Sequence, residues 1–354
     1  MRSLLWSLLL GALAVAPARL LRGLRRRGWR RGMVIVDLGE LPGPEELAAL
    51  PELLGRLAED PAPRGVWVKL GGHGLPWATA QALREALDGL REAGKLVVVS
   101  LEVATNAGLL IGSGADRLWV APGSDVFLLG VGAELIFAGA ALAQLGVQVD
   151  LEAVGAYKSY GETFTRGFAS PPNREAVQAV VDDLQAQLLD ALSCRVTPEV
   201  AREAMARAPL DAQEAKRLGL IDDVLYDDQM EAELGRLLDG APRLRSLRRW
   251  ARGARWQRRL DEAGLQRPLI VVAHLDGQIV HREEVRGHRI DTERAVALLT
   301  ELAEAPQVCA VVLAVQSPGG SAVASDLIAH AARRLGQAKP VVAALGDVAA
   351  SGGY

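Results

Sequence analysis

The chain repeats part of itself at a separation of 244 residues, and this duplication restricts the folds it can adopt. Residues 78–108 align without a gap with 322–352. The eight identities pair the following residues with those 244 positions later: Ala78, Ala80, Leu83, Lys95, Val97, Val98, Leu101 and Gly108. Self-similarity at a fixed spacing indicates that one structural unit occurs twice. We therefore expect two modules of the same fold.

Each copy alternates short apolar runs with amphipathic stretches, which is typical of a parallel β-sheet covered by helices. Near-continuous apolar runs predict buried strands at 33–38, 65–70, 95–101, 116–121, 268–275, 310–316 and 341–345. A further strand is predicted at 149–154, and 173–239 is predicted to be almost wholly helical. The predicted fold class is α/β: a tandem repeat of parallel sheets with helices on their faces.

Two arginine-rich segments interrupt an otherwise acidic chain. Residues 19–31 contain seven arginines and 243–259 contain eight, and neither segment contains an acid. The rest of the chain has 25 basic residues against 43 acidic ones. This asymmetry indicates a membrane surface or a nucleic acid as a partner, whereas a solvated helical linker is an equal alternative for the second segment.

Residues 3–18 carry no charge and directly precede the first arginine segment. Sixteen residues are short for a spanning helix, which needs about 20, and suit the core of a signal peptide. The arginines that follow favour a cytoplasmic flank, and an interfacial helix is a third alternative. The segment predicts membrane association and leaves open which side the body faces.

These features divide the chain into four predicted parts. Residues 1–32 form a hydrophobic segment and arginine-rich arm, a membrane anchor or signal sequence; 33–239 form the first module, 240–267 an arginine-rich linker and 268–354 part of the second module. The first module continues for roughly 124 residues beyond Leu110, the counterpart of Tyr354. The second module is therefore predicted to be incomplete.

Several common kinds of site are excluded by the sequence. The two cysteines, Cys194 and Cys309, are too few for a disulfide framework or a four-cysteine zinc site. His281 and His288 flank two glutamates, but their spacing fits no zinc pattern, and a solvated charged loop is favoured. No GxSxG elbow, Walker A or GxGxxG motif is present.

Glycine-rich turns follow two strands of the second module. Gly319 and Gly320 come after the strand at 310–316, and Ser351, Gly352 and Gly353 follow the strand at 341–345. Backbone N–H groups at the carboxyl ends of parallel strands can face a ligand or an oxyanion. Ser351 could equally be the N-cap of a helix.

A lysine follows the predicted strand at 149–154. Lys158 stands between Tyr157 and Ser159, and partial burial behind the tyrosine would lower its pKa so that it could act as a base. An ordinary surface lysine is the alternative interpretation.

Together these segments resemble signal peptide peptidase A, a family of Ser-Lys membrane proteases on the fold shared by the Clp protease subunit and the crotonases. The motif Gly155-Ala156-Tyr157-Lys158-Ser159 is similar to the family segment with the general-base lysine, and Ala350-Ser351-Gly352-Gly353-Tyr354 to the segment with the nucleophile. The resemblance extends from residue 33 onward and includes the duplication of the long form. One departure is Thr163, where the family has a proline after the glutamate.

The resemblance implies specific roles for these residues. Ser351 would be the nucleophile and Lys158 the general base. Gly352 and either Gly319 or Gly320 would supply the oxyanion hole. Ser159 and Tyr157 would be supporting residues, with Ser159 hydrogen-bonding the lysine amine and holding it toward Ser351. Ala107 occupies the place of Ser351 in the first module, which would therefore lack a nucleophile of its own.

The implied function is that of a serine endopeptidase, anchored to the cell inner membrane by its N-terminal segment. It would hydrolyse cleaved signal peptides and other short hydrophobic peptides, as a homo-oligomer, with no cofactor, metal or nucleic acid. An inactive fragment or membrane scaffold of the same fold is one alternative. A crotonase-like acyl-CoA enzyme is a lesser one.

Overall fold

The computed structural model describes residues 32–39, 43–152, 154–252, 268–280 and 289–354. The predicted N-terminal segment up to residue 31 and the cluster around His281 and His288 lie outside these residues. The chain divides into two compact units: the first runs to Leu75 and includes Leu83–Ser246, and the second comprises Pro76–Ala82 and Leu247–Tyr354. No helix in the described ranges is both long enough and apolar enough to cross a membrane.

The first unit is built on a parallel sheet of six strands, in the order β8-β5-β3-β2-β1-β9. A smaller sheet of three strands has the order β4-β6-β7. The strands are β1 (Gly32–Leu38), β2 (Gly65–Leu70), β3 (Leu96–Leu101), β4 (Ala104–Thr105), β5 (Arg117–Val120), β6 (Asp125–Phe127), β7 (Leu210–Asp211), β8 (Asp223–Val224) and β9 (Arg243–Ser246). The buried strands predicted at 33–38, 65–70, 95–101 and 116–121 are confirmed within one residue.

Nine described helices belong to the first unit, apart from the first residues of α2. They are α1 (Pro44–Glu59), α2 (Trp77–Glu92), α3 (Asn106–Ser113), α4 (Gly139–Gln144), α5 (Glu162–Thr165), α6 (Pro171–Leu192), α7 (Pro198–Arg207), α8 (Ala212–Leu218) and α9 (Asp227–Leu237). Helices α6 to α9 confirm the predicted, largely helical character of 173–239, which short turns and the two-residue strands β7 and β8 interrupt.

The core of this unit combines large side chains from the sheet with one face of α9. Met33, Trp67, Val98 and Trp119 are almost fully buried, and Met230, Leu234 and Leu238 pack against them. Burial of such side chains supplies the main free energy of folding. The buried indole N–H of Trp67 also donates to Ser100 Oγ at 2.9 Å, so the core leaves this polar group satisfied.

The strand predicted at 149–154 is not found. Among the described residues of this segment, 149–152 and 154 have no regular structure. Leu151 is 51% exposed and Val154 is 94% exposed. A buried strand requires a neighbouring strand and a covered face, and this segment has neither in the described structure, so the apolar run was misleading.

The predicted linker at 240–267 begins with regular structure. Its residues 243–246 form β9, which pairs with β1 in parallel and places Gly32 opposite Arg243. Leu244 packs against the core, whereas Arg243 and Arg245 are exposed. A helix begins at residue 247 and continues to 252, the last described residue before 268. The first sheet therefore ends on the arginine-rich segment.

The second unit contains a three-stranded parallel sheet in the order β10-β13-β14, with a two-stranded ribbon β11-β12. Its elements are β10 (Leu269–Asp276), β11 (Gln278–Val280), β12 (Arg289–Asp291), α10 (Thr292–Glu304), β13 (Val308–Ser317), α11 (Ala322–Ala338) and β14 (Val341–Ala349). Helices α10 and α11 cover one face of the sheet, where Leu299, Leu313 and Leu335 are buried. The α/β fold class and its repetition are confirmed.

Candidate functional site

Ser351 lies in a strained turn at the carboxyl end of β14. Its φ angle is 52°, and a short 3₁₀ helix, Ser351–Gly353, follows the strand. Only Asp239 and Ser351 have positive φ among the non-glycine residues that the structure describes. An N-cap residue has extended backbone angles, so the structure argues against the N-cap alternative. Strained residues of this kind are concentrated at functional sites.

The glycines after β13 lie against this turn without room for a side chain. A β-carbon added at Gly319, whose φ is +90°, would lie 2.8 Å from both Ala350 O and Gly352 N. Ala350 N–H donates to Ser317 O at 3.0 Å, which joins the ends of the two strands. Close approach of this kind requires glycine. The structure thus brings Gly319 and Gly320 together with Ser351 and Gly352.

The two candidate glycines after β13 differ in how their N–H groups are used. Gly319 N–H donates to Ser317 Oγ at 3.1 Å. Gly320 is bridged to Ile279 through its neighbours, because Ile279 N–H donates to Gly319 O and Ser321 N–H donates to Ile279 O. Within the described ranges, no hydrogen bond engages the N–H of Gly320 or of Gly352. These two N–H groups are the better candidates for binding an oxyanion.

The corresponding turn of the first unit is an ordinary helix start. Ala107, the counterpart of Ser351, is the second residue of α3 and is 7% exposed. Thr105 caps this helix, and its Oγ1 accepts from Gly108 N–H at 3.2 Å. The two copies therefore differ in backbone as well as in side chain at this position.

Lys158 lies on an exposed loop of the first unit, between α4 and α5. Its backbone N–H donates to Gly155 O at 3.3 Å, and its side chain is exposed. The predicted partial burial of this side chain behind Tyr157 is wrong, because Tyr157 is itself 60% exposed. The missing strand at 149–154 explains the difference, since only a buried strand would have carried the lysine into the interior.

Hydrogen bonds hold the loop on both sides of Lys158. Tyr157 Oη donates to Glu175 Oε2 at 3.0 Å, and this bond with the nearby negative charge raises the pKa of Tyr157. Glu162 Oε2 accepts from Ser170 N–H at 2.9 Å and from Asn173 Nδ2 at 3.0 Å. Hydrogen bonds from Ser170 and then Asn173 lower the pKa of Glu162.

The predicted residues thus occupy two places. Ser351 and Gly352 lie in the second unit with Gly319 and Gly320, whereas Tyr157, Lys158 and Ser159 lie in the first. No group of three or more His, Cys, Asp and Glu side chains that could hold a metal occurs among the described residues.

Sequence analysis missed the side chains that support the serine turn. Ser317 is fully buried, and Ser325 Oγ donates to Ser321 O at 2.8 Å. A β-carbon at Gly352 would meet that Oγ at 2.1 Å, so Ser325 packs directly beneath the turn. The N-cap of α11 at Ser321 was visible in the sequence and could have pointed to Ser325 one turn later.

Comparison with known proteins relates this chain to one peptidase family. Residues 89–239 match Peptidase family S49, and Lys158 lies inside this range whereas Ser351 lies beyond it. The chain is 25% identical over 314 residues to "Serine protease SPPA, chloroplastic" of Arabidopsis thaliana, covering 87% of this chain and 46% of that protein.

Two bacterial proteins give similar results. The chain is 29% identical over 284 residues to "Protease 4" of Salmonella typhi, covering 77% of this chain and 45% of that protein. It is 26% identical over 319 residues to "Protease 4" of Haemophilus influenzae, covering 84% and 50%. The chain thus spans about half the length of the curated relatives it matches. The resemblance to the signal peptide peptidase A family is confirmed.

Among solved structures, a monofunctional enoyl CoA isomerase from M. smegmatis is similar at 19% identity. The match covers 66% of this chain and 92% of that chain, with a TM-score of 0.37.

Proposed function

We propose that this chain, a relative of the signal peptide peptidase A family, carries the reacting groups of a serine peptidase, with Ser351 as nucleophile and Lys158 as general base. The observation that carries the proposal is the conformation of Ser351. A serine at positive φ stands at the carboxyl end of a parallel strand, beside Gly320 and Gly352, whose N–H groups are engaged by no hydrogen bond in the described structure.

The proposed reaction passes through an acyl-enzyme. In the proposed first step, Lys158 Nζ takes the proton of Ser351 Oγ as this oxygen attacks the substrate carbonyl carbon. The N–H groups of Gly352 and Gly320 stabilise the oxyanion that forms. The lysine then gives its proton to the leaving amine as the C–N bond breaks. In the second half of the reaction, the same lysine takes a proton from a water molecule as the water oxygen attacks the acyl carbonyl carbon. The lysine then returns this proton to Ser351 Oγ as the ester C–O bond breaks, which releases the carboxylic acid and restores Ser351.

These glycines are proposed to matter for more than the shape of the turn, because their N–H groups would stabilise the negative charge that develops on the substrate oxygen. Loss of one oxyanion donor in other hydrolases costs about 3 kcal/mol of transition-state stabilisation. Gly319 is proposed to act through the backbone it imposes on Gly320, because its own N–H is held by Ser317. Ser159, half-buried beside the lysine, is proposed to support the base.

The finer features follow from the family relationship and belong to the same proposal. The substrates would be signal peptides and other short hydrophobic peptides. Membrane association through residues 1–32 and assembly into a homo-oligomer would complete the active form.

The proposal is tested by hydrolysis of a fluorogenic hydrophobic peptide by the full 354-residue chain. We expect Ser351→Ala and Lys158→Ala each to abolish turnover. The matched controls are Ser193→Ala and Lys216→Ala, which change exposed residues of α6's C-terminal end and of α8 and should leave turnover unchanged. Full turnover in either Ser351→Ala or Lys158→Ala would contradict the assigned roles.

Absence of turnover in the native chain would favour the inactive scaffold. The acyl-CoA alternative predicts instead that coenzyme A binds the chain tightly in a calorimeter.

A further inference from the structure

We propose that Glu162 is a positioning residue that fixes the Lys158 loop onto the first turn of helix α6. The inference rests on the proposed role of Lys158 as general base and adds to it the residue that orients that base.

The carboxylate of Glu162 is held by two donors at the start of α6. One oxygen, Oε2, accepts from the backbone N–H of Ser170 and from the side-chain amide of Asn173. Ser170 and Asn173 are only 6% and 8% exposed, so they present a buried, fixed pair of donors. A negative charge is also favoured at a helix N-terminus, where backbone N–H groups have no partner within the helix.

Glu162 also follows Lys158 closely in the chain. Glu162 N–H donates to Ser159 O at 2.9 Å, which closes the turn Ser159–Glu162 that directly follows Lys158. Glu162 is the first residue of α5, and Arg166 N–H donates back to its carbonyl oxygen at 3.0 Å. A short, hydrogen-bonded connection therefore links the Glu162 carboxylate to the lysine.

A second tether lies on the other side of Lys158. Tyr157 Oη donates to Glu175, five residues beyond the N-cap of α6 at Ser170. Both tethers of the loop thus end near the start of one helix, while the lysine between them is exposed. An exposed lysine on an untethered loop would sample many positions, and a general base must be held within hydrogen-bonding reach of the proton it abstracts.

The first test measures the tether without any assay of activity. Trypsin cleaves after lysine only where several flanking residues can unfold locally, so the rate of cleavage after Lys158 reports how firmly the loop is held. Mass spectrometry of the native chain and its variants gives this rate separately from cleavage elsewhere. We expect Glu162→Ala to raise it by about tenfold or more, and Tyr157→Phe to raise it by about twofold.

Two variants serve as controls. Glu162→Gln keeps an oxygen at the same reach and should restore a nearly native rate. Glu152→Ala removes an exposed carboxylate from the same part of the chain and should leave the rate unchanged. If Glu162→Ala lowers the thermal midpoint of the chain, Glu162→Asp replaces it, because the shorter side chain withdraws the carboxylate and retains the charge.

The second test compares kinetic constants on the peptide substrate. We expect Glu162→Ala to lower kcat by roughly 10- to 100-fold, on the order of the loss known for a misplaced catalytic group, with KM nearly unchanged and recovery in Glu162→Gln. An unchanged cleavage rate in Glu162→Ala would show that the Glu162 contacts do not hold the loop. Faster cleavage with unchanged kcat would overturn the positioning role. If Glu162→Ala speeds cleavage after Lys158 but neither the native chain nor any variant hydrolyses peptide, the tether is supported and the proposed function fails.

Discussion

Lys95 and Lys339 occupy equivalent positions in the two units and make the same kind of hydrogen bonds. Lys95 Nζ donates to the backbone oxygens of Asp60 and Pro63, which follow helix α1. Lys339 Nζ donates to the backbone oxygens of Leu302 and Ala305, at the end of helix α10. Carbonyls at a helix C-terminus lack partners within the helix, and a cation is favoured there. The duplication thus preserves individual polar contacts.

Replacement of Lys95 by methionine should destabilise the first unit and change its pH dependence. Burial lowers the pKa of Lys95, and the nearby charge of Asp60 only partly opposes this. Between the folded and unfolded pKa values, the unfolded chain binds more protons, so native stability should rise as pH increases toward 10.5. Lys95→Met should not show this rise in stability with pH. Its free energy of unfolding at neutral pH should also be lower by about 1–3 kcal/mol, because two carbonyls lose their donor.

Urea unfolding at several pH values between about 7.5 and the ordinary lysine pKa of 10.5 measures both effects. Lys216→Met is the control, since it removes only an exposed ion pair with Asp223 and should cost at most about 1 kcal/mol. Equal slopes in the native chain and in Lys95→Met would contradict the prediction.

Alanine at Gly319 should distort the serine turn. The new β-carbon would lie 2.8 Å from Ala350 O and Gly352 N, and φ of +90° disfavours any side chain. We expect a loss of about 1–3 kcal/mol in stability and no turnover of the peptide substrate. Gly336→Ala in α11 is the control, because no atom lies within 4 Å of its added β-carbon. The free energy of unfolding of this control should rise by about 0.5–1 kcal/mol.

Removal of the Ser100 hydroxyl should weaken the core of the first sheet. Ser100→Ala leaves the buried indole N–H of Trp67 without its acceptor, which costs about 1–3 kcal/mol. Denaturant unfolding followed by tryptophan fluorescence measures the loss. The control Ser193→Ala changes an exposed serine, and its free energy of unfolding should lie within about 0.5 kcal/mol of that of the native chain. A Ser100→Ala midpoint equal to that of the control would refute the prediction.

The Glu162 contacts should weaken in acid. Hydrogen bonds from Ser170 and Asn173 hold the pKa of Glu162 below its ordinary value of 4.5. The stabilisation is therefore complete above that value and is lost as pH falls through the lower folded pKa. Hydrogen exchange of the Ser170 amide, compared between about pH 6 and about pH 3, should show reduced protection in acid. Glu162→Gln should show a smaller change, because its acceptor does not titrate.

The longer strands of the two main sheets could be predicted because their apolar runs are continuous and lie between clear helical patterns, whereas the short strands β8 and β9 were not predicted. Val97, Val98 and Val99, for example, are fully buried, as such a run requires. The apolar run at 149–154 was indistinguishable from these by composition, yet Val154 is exposed. Burial depends on neighbouring elements, and periodicity within one segment does not reveal them.

The residue types of the candidate site could be predicted from the sequence, but most of its geometry could not. Glycine after a parallel strand correctly indicated close backbone approach at Gly319. The positive φ of Ser351 and the engagement of Gly319 N–H by Ser317 depend on atoms from two strands. No local pattern encodes such an arrangement, and the same limit applies to the contact of Glu162 with Asn173.

Strand β9 has a practical consequence for experiments on the first unit alone. A polypeptide ending at residue 239 would leave the outer edge of β1 unpaired from Gly32 to Ile35, since Arg243–Ser246 supplies its partner. Unpaired edges recruit strands from other molecules and promote aggregation. Recombinant versions of the first unit should therefore extend at least through Ser246, and poor solubility of a shorter version would say nothing about whether this unit can fold independently.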